Sequence, residues 1–249
     1  MAKVISVTIQ KGGVAKTTTA ATLIAGLQAR GYKVLGIDLD PQSNLTEYFR
    51  AKPIVDICDV LDGKESIRKA VVATSFGAAF LPCSRSLFAM EFRQSSNDLL
   101  LKALVPIMDY FDYIIIDTPP ALSSITINAL MASQWVVIPA ILGDFCRQAI
   151  PDVGNTIITV RKNGNPDLNI AGILVTMKRP RSKLQDVLTD EFGKIADAYG
   201  TKIFNTPIRD AQAVKDAQAF HQTIFEYAPK SNVALDYNAF IDELLEVVK

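Results

Sequence analysis

Short apolar runs alternate with longer amphipathic ones along the chain. Runs rich in Ile and Val fall at residues 4–9, 33–37, 79–81, 113–116, 135–139, 170–176 and 201–204, with little two-residue alternation. That is the pattern of parallel strands buried on both faces. Between them lie segments of helical length at 17–30 (closed by Gly31), 87–110, 123–132, 148–162, 183–199 (closed by Gly200) and 232–248. Strand–helix alternation with short connections predicts an α/β fold, a doubly wound and mostly parallel sheet with helices on both faces. No repeat, low-complexity tract or linker-like stretch cuts the chain, so residues 1–249 read as a single domain.

Composition narrows the classes of function. With 249 residues, 49% of them apolar, the chain is long enough to bury a core without disulfide or metal staples. The 26 Lys and Arg balance 26 Asp and Glu, which excludes a polybasic whole-surface binder and confines any nucleic-acid contact to a local patch. Cys58, Cys83 and Cys146 are odd in number, widely spaced and without a CxxC pair, the usage of reduced, buried thiols. No apolar stretch approaches about 18 residues, and the first apolar run leads straight into Lys11 and Lys16, unlike a signal peptide. A soluble, cytoplasmic protein is expected.

The chemistry concentrates where the first apolar run meets the first helical segment, in Gln10-Lys11-Gly12-Gly13-Val14-Ala15-Lys16-Thr17-Thr18-Thr19. Unpaired backbone N–H groups at a helix N-terminus suit a polyphosphate, and Gly12 and Gly13 let the backbone curl round it. Lys16 would set a cation on the β/γ oxygens and the Thr17 hydroxyl would ligate Mg²⁺. Gln10 and Ala15 stand where the strict GxxxxGK[ST] pattern has glycines. The plainer alternative is a Gly-Gly turn with incidental lysines. If Ala15 has helical φ/ψ its methyl costs little, and if it needs positive φ the loop is strained; tolerance is expected.

Lys11-Gly-Gly-Val-Ala-Lys16-Thr-Thr resembles the deviant Walker A motif of the ParA/MinD P-loop ATPases. The stretch Val34-Leu-Gly-Ile-Asp38-Leu-Asp40-Pro41-Gln42-Ser-Asn44 resembles that family's second motif, and Tyr113-Ile-Ile-Ile-Asp117-Thr-Pro-Pro120 its Walker B and following switch. The likeness extends to a ParA-like tail, from Tyr227-Ala-Pro-Lys-Ser231 through Tyr237 and Glu243. Asp38, Asp40 and Asp117 each follow an apolar run, at the carboxyl edge where α/β sheets hold ligands; alone, each would read as a turn or helix cap.

The resemblance implies ATP and Mg²⁺ as cofactors and roles for named residues. Gly12, Gly13, Val14, Ala15, Lys16, Thr17 and Thr18 would bind nucleotide, Thr18 at the α-phosphate. Thr17 and Asp117 would hold the metal, with Asp38 supporting its shell, while Asp40 would orient the attacking water. Lys11 would reach across a dimer to the partner's nucleotide, so the homodimer would depend on ATP and dissolve on hydrolysis. Residues 38–44 and 117–124 would be switches. Thr176, Met177, Pro207 and Ile208 would frame the adenine, although such residues at strand ends are ordinary core in most proteins.

Family members differ in what the ATP-bound dimer binds. The terminal segment 239–249 is amphipathic but acidic on its polar face, unlike a MinD-like membrane helix, and the cysteines lack the spacing of iron–sulfur carrier relatives. Lys178, Arg179, Arg181 and Lys183 place four cations within six residues, and Arg209 and Lys215 fall in a second family segment. Such a cluster is either a solvated loop or a surface for non-specific double-stranded DNA. No helix-turn-helix precedes the phosphate loop, which argues against operator-specific repression. The expectation is a weak ATPase of plasmid or chromosome partition, nucleoid-associated and stimulated by a ParB-like partner. The alternatives are positioning of another cargo, such as a carboxysome or chemoreceptor cluster, a MinD-like membrane-cycling regulator, and a non-hydrolysing nucleotide-gated scaffold. His221 and Trp135 read as packing residues.

Overall fold

The structure, a computed structural model, describes residues 1–52, 54–91, 96–179 and 183–249. The chain begins β1 (Lys3–Val7), α1 (Lys16–Ala29), β2 (Val34–Asp38) and α2 (Asn44–Tyr48). Two short helices, α3 (Ile57–Leu61) and α4 (Ile67–Ala70), precede β3 (Val72–Ala73) and β4 (Ala79–Leu81). Then come α5 (Phe88–Glu91), α6 (Leu99–Leu104), β5 (Tyr113–Asp117), α7 (Ser124–Ala132), β6 (Trp135–Ala140), α8 (Asp144–Lys162) and β7 (Asn169–Val175). The last part is helical: α9 (Lys183–Ala198), α10 (Gln212–Ala219), α11 (Ile224–Tyr227) and α12 (Asn232–Val247).

The seven strands order as β3-β4-β2-β5-β1-β6-β7, all parallel except the β3–β4 pair. The central strands are buried at nearly every position and mostly apolar, because alternate side chains enter different cores. Tyr113 and Ile115 join one cluster and Ile114 and Ile116 another; Ile5 and Val7 likewise face away from Val4. A third cluster lies over β6 and β7 beneath α8 and α9. The doubly wound architecture is therefore as expected. Helix α1 is buried nearly all round, between the sheet and α12, which explains its lack of a polar face. Gly36 lets it lie close, since a Cβ there would come within 2.5 Å of Ile24 Cδ1.

Three expectations change. The segment 201–204 is no strand but meets β7 through an isolated bridge between Ile173 and Ile203 and a hydrogen bond from the Thr201 hydroxyl to the Ile170 carbonyl. Its Phe204 instead packs over Gly172, where a Cβ would collide with the ring. The segment 87–110 is no single helix: it holds α5, α6 and two 3₁₀ turns, at Arg85–Leu87 and Met108–Tyr110. Helix α8 starts at Asp144, before the expected 148, because Gly143 caps it in extended conformation. Among the described residues no helix is long and apolar enough to cross a membrane. The buried face of α12 (Val233, Ala234, Tyr237, Phe240, Ile241 and Leu244) is occupied by the core, so it offers no lipid-binding stripe.

Candidate functional site

The β1–α1 loop lies beside the central strand, at the carboxyl edge of the sheet. Strand β1 pairs with β5 on one side and β6 on the other, so connections diverge here and leave a crevice. A cleft of about 630 Å³ opens there, walled by Gly12, Gly13, Ala15, Lys16, Thr17 and Thr18 from the loop. Asp40, Gln42, Asn44, Glu47 and Tyr48 close it from the β2–α2 side, and Pro120 from the β5 side.

Gly13 turns the loop with φ 74°, a left-handed conformation. Ala15 is also left-handed, with φ 66°, so the expected tolerance of its methyl is corrected: this position is strained. Ser43, Met177 and His221 are likewise left-handed non-glycine residues, and all three lie on or beside the cleft wall. Strain thus gathers around this cavity, as it does at functional sites.

Lys16 is buried, and its Nζ donates to the Lys11 carbonyl at 2.7 Å. Burial lowers its pKa, while Asp117 and Asp40 pull it back up. Asp117 and Asp38 end neighbouring strands in register and are fully buried. Asp38 is satisfied: it accepts from the Asp40 backbone N–H at 3.0 Å and from both N–H and hydroxyl of Thr46 at 2.8 Å. Burial pushes its pKa up to about 6 even so. Burial, then Asp38, raise Asp117 well above the usual carboxylate range. Neither Asp117 oxygen takes a hydrogen bond of ordinary geometry, although the facing Thr17 hydroxyl and Lys16 favour its charged form.

An orphaned buried carboxylate beside a threonine hydroxyl is a place that a hard divalent cation satisfies. No cluster of three or more His, Cys, Asp or Glu forms among the described residues. That suits Mg²⁺, which takes one or two protein ligands and completes its shell with water and phosphate. Asp40 accepts from the Gln42 N–H at 2.9 Å through Oδ1, and burial raises its pKa.

The remaining candidate residues separate into groups. Val14 is buried, with its carbonyl accepting from the Thr176 hydroxyl at 3.2 Å. Thr176, Met177 and Ile208 line a second cavity of only about 60 Å³ that borders the cleft along Ala15, Thr18, Met177 and Gln218, where Gln218 Nε2 donates to Thr18 Oγ1 at 2.6 Å. Pro207 lies elsewhere, in a shallow depression shared with Lys178, Arg179, Arg209, Asp210 and Asp236. Lys11 does not line the cleft; its ammonium sits 4.5 Å from the Phe145 ring centroid.

The basic candidates are less cationic in place than in sequence. Arg209 makes a two-pronged pair with Asp236, at 2.6 and 2.8 Å, and Arg179 lies 3.8 Å from Asp210. Lys178 and Lys215 are exposed, Arg181 lies outside the described residues, and Lys183 begins α9. The structure also supplies residues that no motif marked. Gln218, Ala219 and His221 reach the cleft from around the end of α10, and a His221 ring nitrogen lies 3.0 Å from the Glu47 carbonyl. They are about two hundred positions from the loop, and no spacing in the chain connects them to it.

Comparison with known proteins agrees with this geometry. A family model described as an AAA domain matches residues 2–170. The sporulation initiation inhibitor protein Soj of Bacillus subtilis is 35% identical over 95% of this chain and 96% of its own. The chromosome-partitioning ATPase Soj of Thermus thermophilus is 32% identical over 96% and 94%. A solved structure of cobyrinic acid a,c-diamide synthase from Mycobacterium smegmatis, with an ATP analogue and magnesium bound, superposes with a TM-score of 0.84. It is 32% identical, covering 99% of this chain and 95% of that one.

Proposed function

The chain belongs to the ParA family of P-loop ATPases, and from that premise we propose that it is a partition ATPase. In this reading it hydrolyses ATP weakly, dimerises on ATP, binds DNA without sequence preference and is released when a ParB-like partner stimulates turnover. The observation that carries the ATPase core of this reading is the orphaned, fully buried Asp117 carboxylate beside Lys16 and Thr17 on a left-handed phosphate loop.

The backbone N–H groups opening α1 cradle the phosphates, and Lys16 exchanges the Lys11 carbonyl for β/γ oxygens. Thr17 and Asp117 would hold Mg²⁺, with Asp38 behind them, and the ion would neutralise charge developing on the phosphates. The Thr18 hydroxyl accepts from Gln218, which leaves its own proton for the α-phosphate. Asp40 uses one oxygen on Gln42 and keeps the other to orient the attacking water. Thr176, Met177 and Ile208 take the adenine only after the Gln218–Thr18 contact opens, since about 60 Å³ is too small for a base.

DNA binding rests on the family and on the exposed Lys178 and Lys215, with Arg181 and Lys183 close to Lys178 in sequence; the Asp236 pair holds Arg209 back. The same dimer could carry a different cargo, and the partner decides which.

The test is fluorescence anisotropy of a labelled random duplex, titrated under ATP, ADP and no nucleotide. ATP-dependent, salt-sensitive binding is expected, abolished in Lys16→Ala. Lys215→Glu should weaken binding uniformly across sequences and reduce the salt slope by about 1. Indifference to DNA under every nucleotide, together with ATP-dependent dimers, would overturn the partition reading and leave a positioning ATPase for another surface.

A further inference from the structure

Lys11 has two separate attachments. Its carbonyl receives Lys16 inside the phosphate loop, whereas its ammonium lies outside, over the face of Phe145. Phe145 is the second residue of α8 and is 74% exposed, whereas Ile141 and Leu142 before it are half-buried and Cys146, Ala149 and Ile150 after it are buried. Gly143 brings the chain in extended, and the ring projects from the helix start. The nearby acid, Asp144, is directed to Arg147 at 3.6 Å, and Arg147 also faces Glu191 at 3.7 Å. Among the described residues, the ring is the side-chain group on which the Lys11 ammonium rests. A cation over an aromatic face is attracted by the ring quadrupole, and an exposed contact of this kind is worth a factor of about two to five.

We propose that Phe145 is the positioning residue for Lys11: its ring holds the ammonium away from the chain's own phosphate cleft and presents it to a second copy of this chain. The geometry supplies both halves of that role. Lys16, not Lys11, occupies the cleft, so a free Lys11 ammonium could compete for the same phosphates in cis. Parked on Phe145, it sits on an aromatic ring that is itself 74% exposed. This inference rests on the reading that Lys11 acts across an ATP-dependent dimer.

Two measurements test it. The first is the acetylation rate of Lys11 by an N-hydroxysuccinimide ester, followed by peptide mass spectrometry in the nucleotide-free protein with Lys215 as internal standard. Phe145→Leu, which keeps the residue apolar but removes the π face, should raise Lys11 reactivity about two- to fivefold. Phe145→Trp should hold it at or below the wild-type rate, and Lys215 should not change in either. The second is ATP-dependent dimerisation by sedimentation, where the Leu variant, losing the contact in both chains, should need about four to twenty-five times more protein and the Trp variant should match the wild type. Equal Lys11 reactivity in all three proteins, or a Leu variant that dimerises like the wild type, overturns the proposal alone. A wild-type chain that binds ATP and stays monomeric overturns the trans reading and the proposal with it.

Discussion

Ala15 shows how one methyl group changes the meaning of a motif. The loop demands φ 66° at a position where a β-carbon is unfavourable, at a cost of about 1–2 kcal/mol. Replacing it with Gly relieves that strain, while the greater freedom of Gly in the unfolded chain gives back about 0.4–1 kcal/mol. Ala15→Gly is therefore expected to raise the nucleotide-free melting temperature by about 2–4 °C, read by calorimetry. An unchanged or lower value would mean that the loop relaxes round the methyl. Adjacent residues feel the same tension. Lys16 satisfies itself on the Lys11 carbonyl, whereas neither Asp117 oxygen takes a hydrogen bond of ordinary geometry. Burying an ionisable group without a partner costs stability and makes sense where a ligand completes the set.

Helix α2 illustrates how an element too short to stand alone is held by its surroundings. Five residues cannot hold a helix in water. Three contacts fix this one: Thr46 on Asp38, the Tyr48 hydroxyl donating to the Gln222 carbonyl at 2.7 Å, and His221 at the Glu47 carbonyl. The segment after β2, with its catalytic candidate Asp40, is thus tied to the α10–α11 turn across the mouth of the cleft. Removing one tie leaves a part-buried carbonyl unmatched. Tyr48→Phe should cost about 0.5–1.5 kcal/mol in urea unfolding. A variant as stable as the wild type would show that the turn and α2 are not coupled through this bond. The break-up of the expected 87–110 helix has a related cause. Asn128 on α7 receives the Leu100 N–H at 3.2 Å and donates to the Ser96 carbonyl at 3.1 Å, so α6 is anchored by a side chain from another element.

The stability of the fold should carry the mark of its buried acids. Asp38 and Asp117 stand in register on adjacent strands; burial raises both, and Asp38 raises Asp117 further. For Asp38 the folded-state value is about 6, against an ordinary 3.8. Between those limits the folded protein binds more protons than the unfolded chain, so stability is full at the acid end and falls as pH rises through about 6. The loss is on the order of 3 kcal/mol for that group. In EDTA and without nucleotide, urea unfolding should weaken from pH 5 to pH 7. Asp117→Asn should flatten that slope, stabilise the protein at pH 7 and abolish ATP turnover. A wild-type protein that grows more stable over this interval would contradict the sign.

The phosphate loop, the three carboxylates at two strand ends and the parallel sheet were all legible along the chain. Each depends on neighbours close in sequence: a buried strand reads as a continuous apolar run, and a loop that opens a helix reads as Gly-Gly before Lys-Thr. Outside 87–110 and 201–204, the ends of the expected helices and strands agreed to within a few residues for the same reason. The left-handed state of Ala15 was not legible, because the loop geometry, and not the identity of the residue, imposes its φ. Nor were the contacts that join distant stretches, such as Gln218 on Thr18, Asp236 on Arg209 and Phe145 beneath Lys11. No periodicity relates their positions. They exist because packing α10, α12 and α8 against the sheet brings side chains from distant stretches together, where each takes the partner within reach.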